Sequence, residues 1–129
     1  MKICVTASGN TLDALIDPRF GRASYLTIVD SESMTFEAIP NAATGAMGGA
    51  GIQAAQTMAK KGAKVLITGN IGPNAFQALS AAGIKIVTGA FGTVREAVEK
   101  YKKGELRETG APSVRGHFGM SKGRSWEQV

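Results

Sequence analysis

One short pattern occurs twice in this chain: Ile67-Thr68-Gly69-Asn70-Ile71-Gly72 returns twenty positions later as Val87-Thr88-Gly89-Ala90-Phe91-Gly92. Each copy closes a β-rich apolar run and precedes a segment with helical spacing of its apolar residues. A strand, a Thr-Gly turn and a helix, repeated, describe parallel strands joined by crossover helices. Both turns then fall on the same edge of one sheet.

The remaining segments fit around that unit. Residues 3–7 read as strand one, and 8–21 as a long loop containing Gly9, Asn10, Asp17 and Pro18. Residues 25–29 and 35–39 read as strands two and three, with a hairpin turn at 30–33. A glycine-rich stretch leads to a helix ending near Lys61, with Ile52, Ala55 and Ala59 expected on its inner face and Gly62 as its stop. Strand four is residues 64–67 and strand five is residues 84–87. Between them a helix starts at Pro73, turns Ala75, Phe76 and Leu79 inward, and closes at Gly83. The last helix starts at Thr93, whose spacing to Glu96 is that of a capping box. Its apolar stripe is Val94, Ala97, Val98 and Tyr101, and lysines occupy its negative end.

Strands one to three form an antiparallel meander, and strands four and five run parallel to strand one. The expected architecture is an α/β fold with a mixed five-stranded sheet, order 3-2-1-4-5, and about three helices. Residues 1–108 form one domain; residues 109–129 are expected to be a flexible tail, with an unstructured extension from 121 onward.

This order opens a crevice between the carboxyl ends of strands one and four, the place where open α/β sheets bind ligands. Four segments converge on it. The loop after strand one offers Ser8, Asn10, Arg19, Phe20, Gly21 and Arg22. The glycine-rich stretch offers Gly48, Gly49 and Gly51. The turn after strand four offers Thr68, Gly69, Asn70, Gly72 and Asn74, and the turn after strand five offers Gly89 and Thr93. Three of these segments lead into helix N-termini, whose free N–H groups and dipole attract anions. Glycine lets a ligand approach the backbone. The formal charge of +5 agrees with an anionic partner of some kind.

Other chemistry is poorly supplied. Strands one, four and five carry no carboxylates at those ends, so a two-metal hydrolytic site lacks its ligands. No GxxxxGK[ST] loop is present, and no acidic residue completes a dinucleotide fingerprint. The single histidine, His117, lies in the tail, so no Ser/His/Asp set forms. It is nevertheless a candidate metal ligand, beside Phe118 and Met120, should the tail fold over the crevice. The single cysteine, Cys4, stands inside an apolar strand and is expected to be a buried, inert thiol. The amino-terminal residues enter a strand directly and no apolar run approaches a membrane span. A cytoplasmic protein without membrane contact is expected. Nucleic acid is a poor match, because only eight aromatic residues are present and Trp126 is in the tail.

Several motifs, taken in order, resemble one family. They are Asp17-Pro18-Arg19-Phe20-Gly21-Arg22-Ala23, Gly48-Gly49-Ala50-Gly51, Ile67 through Phe76, and Gly92-Thr93-Val94-Arg95-Glu96-Ala97. Together they resemble the dinitrogenase iron–molybdenum cofactor biosynthesis family over about residues 2–106. Gly116-His117-Phe118-Gly119-Met120 is similar to the tail of its orange-protein branch. The resemblance implies a ribonuclease-H-like sheet and a non-catalytic carrier or storage role. The cargo it implies is an anionic metal–sulfur cluster, held without covalent bonds. That cluster is either a molybdenum–copper sulfide or one resembling the iron–molybdenum cofactor and its precursors. A regulatory or adaptor module that contacts a partner protein on the same scaffold is the alternative. One departure stands out. Several members carry a histidine immediately before the Phe-Gly pair, and here that residue is Arg19. A guanidinium there favours electrostatic holding of an anion over direct ligation of a metal.

Overall fold

A computed structural model of the chain describes residues 1–41 and 50–112. Gly48, Gly49, His117 and Met120 fall outside the described residues, as does the extension from residue 121.

Five strands form a single sheet: β1 (Lys2–Ala7), β2 (Tyr25–Asp30), β3 (Phe36–Pro40), β4 (Val65–Ile67) and β5 (Lys85–Val87). Their order is β3-β2-β1-β4-β5, as the sequence implies. β1 pairs antiparallel with β2 and parallel with β4, and β4 pairs parallel with β5. The three helices are α1 (Ala50–Lys60), α2 (Pro73–Ala81) and α3 (Val94–Lys102).

Strand side chains alternate between two cores. On one face Cys4, Leu26, Ile28, Leu66 and Ile86 pack with α1, α2 and Phe20. On the other, Ile3, Val5, Val29, Val65, Ile67 and Val87 pack with α3 and with Leu12 and Ile16 of the long loop. β1 and β4 are buried on both faces, which is why they read as unbroken apolar runs.

The inner face of α1 departs from expectation. Ala54, Ala55 and Met58 are buried, whereas Ile52 is 39% exposed and Ala59 faces solvent. The face is set by close approach to α2: a Cβ added at Gly51 would stand 2.9 Å from the Cβ of Ala75. Small residues carry that contact, and the larger Ile52 is turned outward. The other two helices follow the sequence reading. Ala75 and Leu79 of α2 and Val94, Ala97 and Val98 of α3 are buried. Thr93 caps α3 with both halves of the capping box present.

Candidate anion site at the strand ends

The loop after β1 does not hang free. Ile16 donates its N–H to the Gly92 carbonyl (2.9 Å), and Val94 donates to Ala14 (3.0 Å), which fastens the loop to the start of α3. Asp17 donates its N–H to the Thr6 carbonyl (2.9 Å), and the Thr6 hydroxyl donates to the Asp17 carbonyl (2.7 Å). The chain then crosses to the turn after β4. Asn70 donates its N–H to Pro18 O (2.7 Å) and Phe20 donates to Asn70 O (3.3 Å), with Arg19 bridged to Asn70.

Gly69 is required by that crossing. A Cβ at this position would lie 2.6 Å from Pro18 Cα and 2.9 Å from Pro18 O, and backbone cannot yield as a flexible side chain does. The second turn leans on the first: Gly89, with φ of 77°, donates its N–H to Gly69 O at 2.8 Å. The paired Thr-Gly motifs are therefore two stacked turns on one edge, joined by their backbones.

Eight of the candidate residues meet at the crevice between β1 and β4. Phe20 is buried against Gly51 and anchors a 3-10 turn, Phe20–Arg22, beside the start of α1. Gly21 and Arg22 complete that turn, and Arg22 is exposed. Arg19 and Asn70 lie side by side, both exposed, and Gly72 and Asn74 begin α2 next to them. No side chain caps Gly72 and no acid stands in the first turn of α2. Its N-terminal end therefore keeps free donors and an uncompensated positive dipole. Pro73 at the first position lacks an N–H, so the donors are those of Asn74 and Ala75.

The other candidates do different work. The Thr68 hydroxyl is fully buried, 2.9 Å from that of Thr6, and locks β4 to β1 beneath the crevice. The Ser8 hydroxyl donates to Leu15 O at 3.1 Å, and Asn10 is exposed farther along the loop. The Thr93 hydroxyl accepts the Glu96 N–H and is occupied as a cap. Gly89 supplies the second turn.

Asp17 is the residue of consequence that sequence reasoning passed over. It is 6% exposed, and its Oδ1 accepts the backbone N–H of Arg19 (2.9 Å) and lies 3.4 Å from Arg19 Nε. It thus orients Arg19 and partly neutralises it. The Asp-Pro pair ahead of Arg19 was the available signal, since Asp side chains commonly accept N–H groups two residues on. Cys4 is fully buried under α1, and burial pushes its thiol well above the usual range. Among the described residues no group of three or more His, Cys, Asp or Glu side chains could hold a metal ion, and no helix is long and apolar enough to cross a membrane. The groups gathered at these strand ends are guanidinium, amide and backbone N–H donors, which are able to recognise an anion.

The comparisons with known proteins bear on the family and the fold. Residues 1–104 match the family described as dinitrogenase iron-molybdenum cofactor. The apo form of the orange protein from Desulfovibrio gigas is similar at 48% identity, with a TM-score of 0.85 over 88% of this chain and 96% of that one. A putative NifB protein from Thermotoga, of the DUF35 family, is similar at 36% identity, with a TM-score of 0.73 over 83% and 91%. Uncharacterized protein MJ0580 of Methanocaldococcus jannaschii is 30% identical over 84% of this chain and 91% of its own length.

Proposed function

The chain belongs to the dinitrogenase iron–molybdenum cofactor family, and we propose that it is a non-catalytic, cytoplasmic carrier of an anionic metal–sulfur cluster. The observation that carries this reading is the juxtaposition of exposed Arg19 with Asn70 and the uncapped start of α2. Fixed N–H donors and guanidinium groups suit a polyanion whose sulfides accept hydrogen bonds and whose charge needs no protein ligand. The family's description points to an iron–molybdenum cofactor or its precursor. Resemblance to the orange-protein branch implies a molybdenum–copper sulfide cluster. Residues 1–108 form the binding domain, with Arg19, Arg22, Asn70, Gly72 and Asn74 as its core contacts. Residues 109–129 are its tail, from which His117 is offered as a further ligand.

A fully thiolate-bound cluster needs several cysteines, and this chain has one, buried, so a cluster held wholly by the thiolates of one chain is excluded. The test is titration of the apo-protein with tetrathiomolybdate, with and without copper, at low and high salt. Binding should weaken as salt rises, incompletely, because contacts at hydrogen-bond range are screened less than distant ones. It should be lost in the double variant Arg19→Glu/Arg22→Glu with an unchanged circular dichroism spectrum. Tight binding indifferent to salt and abolished by His117→Ala would mean direct metal ligation instead. No binding by a folded chain would favour the adaptor reading.

A further inference from the structure

The two edges of the sheet are finished differently. At β5 the segment after α3 closes the edge: Thr109 donates its N–H to Ile86 O at 2.6 Å, and its Oγ1 accepts the Thr88 N–H at 3.0 Å. At β3 nothing among the described residues does the same. The bonds of the meander alternate, and two flanking ones fix their phase. Asn41 donates its N–H to Ser24 O at 3.0 Å, and Ser31 donates to Met1 O at 2.9 Å. The backbones of Leu26 and Ile28 therefore bond to their register partners Ile39 and Glu37, while Tyr25, Thr27 and Val29 bond to β1. The N–H groups of Phe36 and Ala38, and the carbonyls of Phe36, Ala38 and Pro40, point outward from the sheet. None has a partner among the described residues.

This edge lacks most of the features that keep an edge from pairing. Its register with β2 runs unbroken from Phe36 to Pro40, without a bulge. Its only charged residue is Glu37, paired with Lys61 at 3.1 Å. Pro40 blocks donation at the last position alone. Phe36 is 43% exposed. It shares a face with Ala38 and Pro40, the face opposite α1. α1 packs on β2 and α3 on β1, and neither makes a comparable contact with β3.

We propose that the outer edge of β3 pairs antiparallel with β3 of a second copy, joining the two sheets into one. The strand's own pattern selects both occupant and register. With Ala38 on the two-fold axis, each Ala38 N–H donates to the partner's Ala38 carbonyl, and each Phe36 N–H donates to the partner's Pro40 carbonyl. Pro40, which has no N–H, then serves only as an acceptor, and each Phe36 lies opposite the partner's Pro40. Glu37 stands opposite the partner's Ile39. A register centred on Glu37 satisfies as many backbone groups but sets the two Glu37 carboxylates directly opposite each other, which is unfavourable. The overall charge of +5 is no local obstacle, since Glu37 and Lys61 at this edge offset each other and more distant charges are screened. The axis reverses strand direction, so the two crevices open toward opposite ends. The dimer therefore stands independently of the carrier reading.

The experiment uses the full chain. Sedimentation equilibrium from about 1 μM to about 1 mM should show a reversible monomer–dimer equilibrium and no larger species, because the pairing consumes the edge it uses. In the nitrogen-15-labelled chain, amide exchange should slow with concentration at Phe36 and Ala38. It should stay constant at Glu37 and Ile39, which already bond to β2. Ala38→Pro removes the central donors while sparing the β2–β3 ladder, and should weaken the dimer about tenfold or more. Phe36→Lys leaves the backbone alone, puts a cation on the edge and should do the same. It decides the question if Ala38→Pro does not fold. A monomer at every concentration overturns the proposal. So does a dimer with unchanged exchange at Phe36 and Ala38, a dimer that survives undiminished in a folded variant, or open-ended growth. Tetrathiomolybdate should bind Phe36→Lys as it binds the natural chain; cargo binding lost together with the dimer overturns the separation of edge and crevice.

Discussion

Thr6 and Thr68 face each other across β1 and β4 with hydroxyl oxygens 2.9 Å apart, both fully buried. The Thr6 proton is committed to the Asp17 carbonyl, 2.7 Å away, so Thr68 must be the donor between the two. The pair thus links both central strands to the loop that carries Arg19. Thr6→Val strands a buried carbonyl and a buried hydroxyl, and should cost about 2–3 kcal/mol. Thr68→Val leaves Thr6 still donating and should cost nearer 1 kcal/mol. Urea unfolding of the two variants checks the order. Equal losses would mean that the Asp17 carbonyl finds another donor.

Gly69 and Gly72 look alike in sequence and differ in the structure. Gly69→Ala would drive a methyl group into Pro18, whereas nothing lies within 4 Å of a Cβ at Gly72, whose φ of −84° suits any residue. Gly69→Ala should lower stability by about 1–3 kcal/mol, the cost of overpacking against backbone. It should also displace Arg19 from Asn70 and weaken cargo binding. Gly72→Ala should change stability by under about 1 kcal/mol, since it alters only an N-cap. Thermal unfolding and tetrathiomolybdate titration of both variants test the contrast.

Strand order, helix positions and the cap at Thr93 were legible because each rests on local pattern: β-rich runs, Pro73 and Gly83 as helix limits, and the Thr93–Glu96 spacing. The inner face of α1 was not. Ile52 is the bulkiest residue in its first turn and draws any hydrophobicity argument, but the Gly51–Ala75 approach is a tertiary contact that leaves no trace in periodicity. The site shows the same division. The convergence of Arg19, Asn70 and Gly72 follows from strand order. The diversion of Thr68, Ser8 and Thr93 to structural hydrogen bonds does not, because a hydroxyl at a strand end reads alike whether it faces ligand or core.

The β2–β3 hairpin is tied by Asp30, whose Oδ1 accepts the N–H of Glu32 at 2.9 Å and of Ser33 at 3.3 Å. These bonds hold the Asp30 carboxyl below its ordinary value of 3.8, with Lys2 and the amino terminus assisting. A group whose pKa is lower folded than unfolded contributes stability above its unfolded pKa and loses it as pH falls through the folded one. The hairpin should therefore loosen below about pH 4 in the native chain. Asp30→Ala should remove that part of the acid dependence while lowering stability at neutral pH. Amide exchange of Met34 and Thr35 between pH 3 and pH 6 would report it; an identical acid profile in both chains would exclude Asp30 as the group responsible.

Arg19 adds less positive potential to the site than its exposure suggests, because the buried carboxylate of Asp17 lies 3.4 Å from its Nε. That pairing has two effects of opposite sign. It orients the loop, since the same Oδ1 accepts the Arg19 backbone N–H, and it subtracts positive potential from the site. Asp17→Asn keeps an oxygen acceptor for the N–H and removes the negative charge. Arg19 is 65% exposed at its side chain, so solvent screens the pair and its energy is small, about 0.2–1 kcal/mol. Released toward an anion, that range corresponds to a gain of roughly 1.5-fold to fivefold in affinity. Asp17→Asn should therefore bind tetrathiomolybdate more tightly than the natural chain, with the gain largest at low salt. Asp17→Ala, which also deletes the acceptor, should lose the gain by freeing the loop. Unchanged affinity in Asp17→Asn at low salt, with the fold intact, would remove Arg19 from contact with the anion.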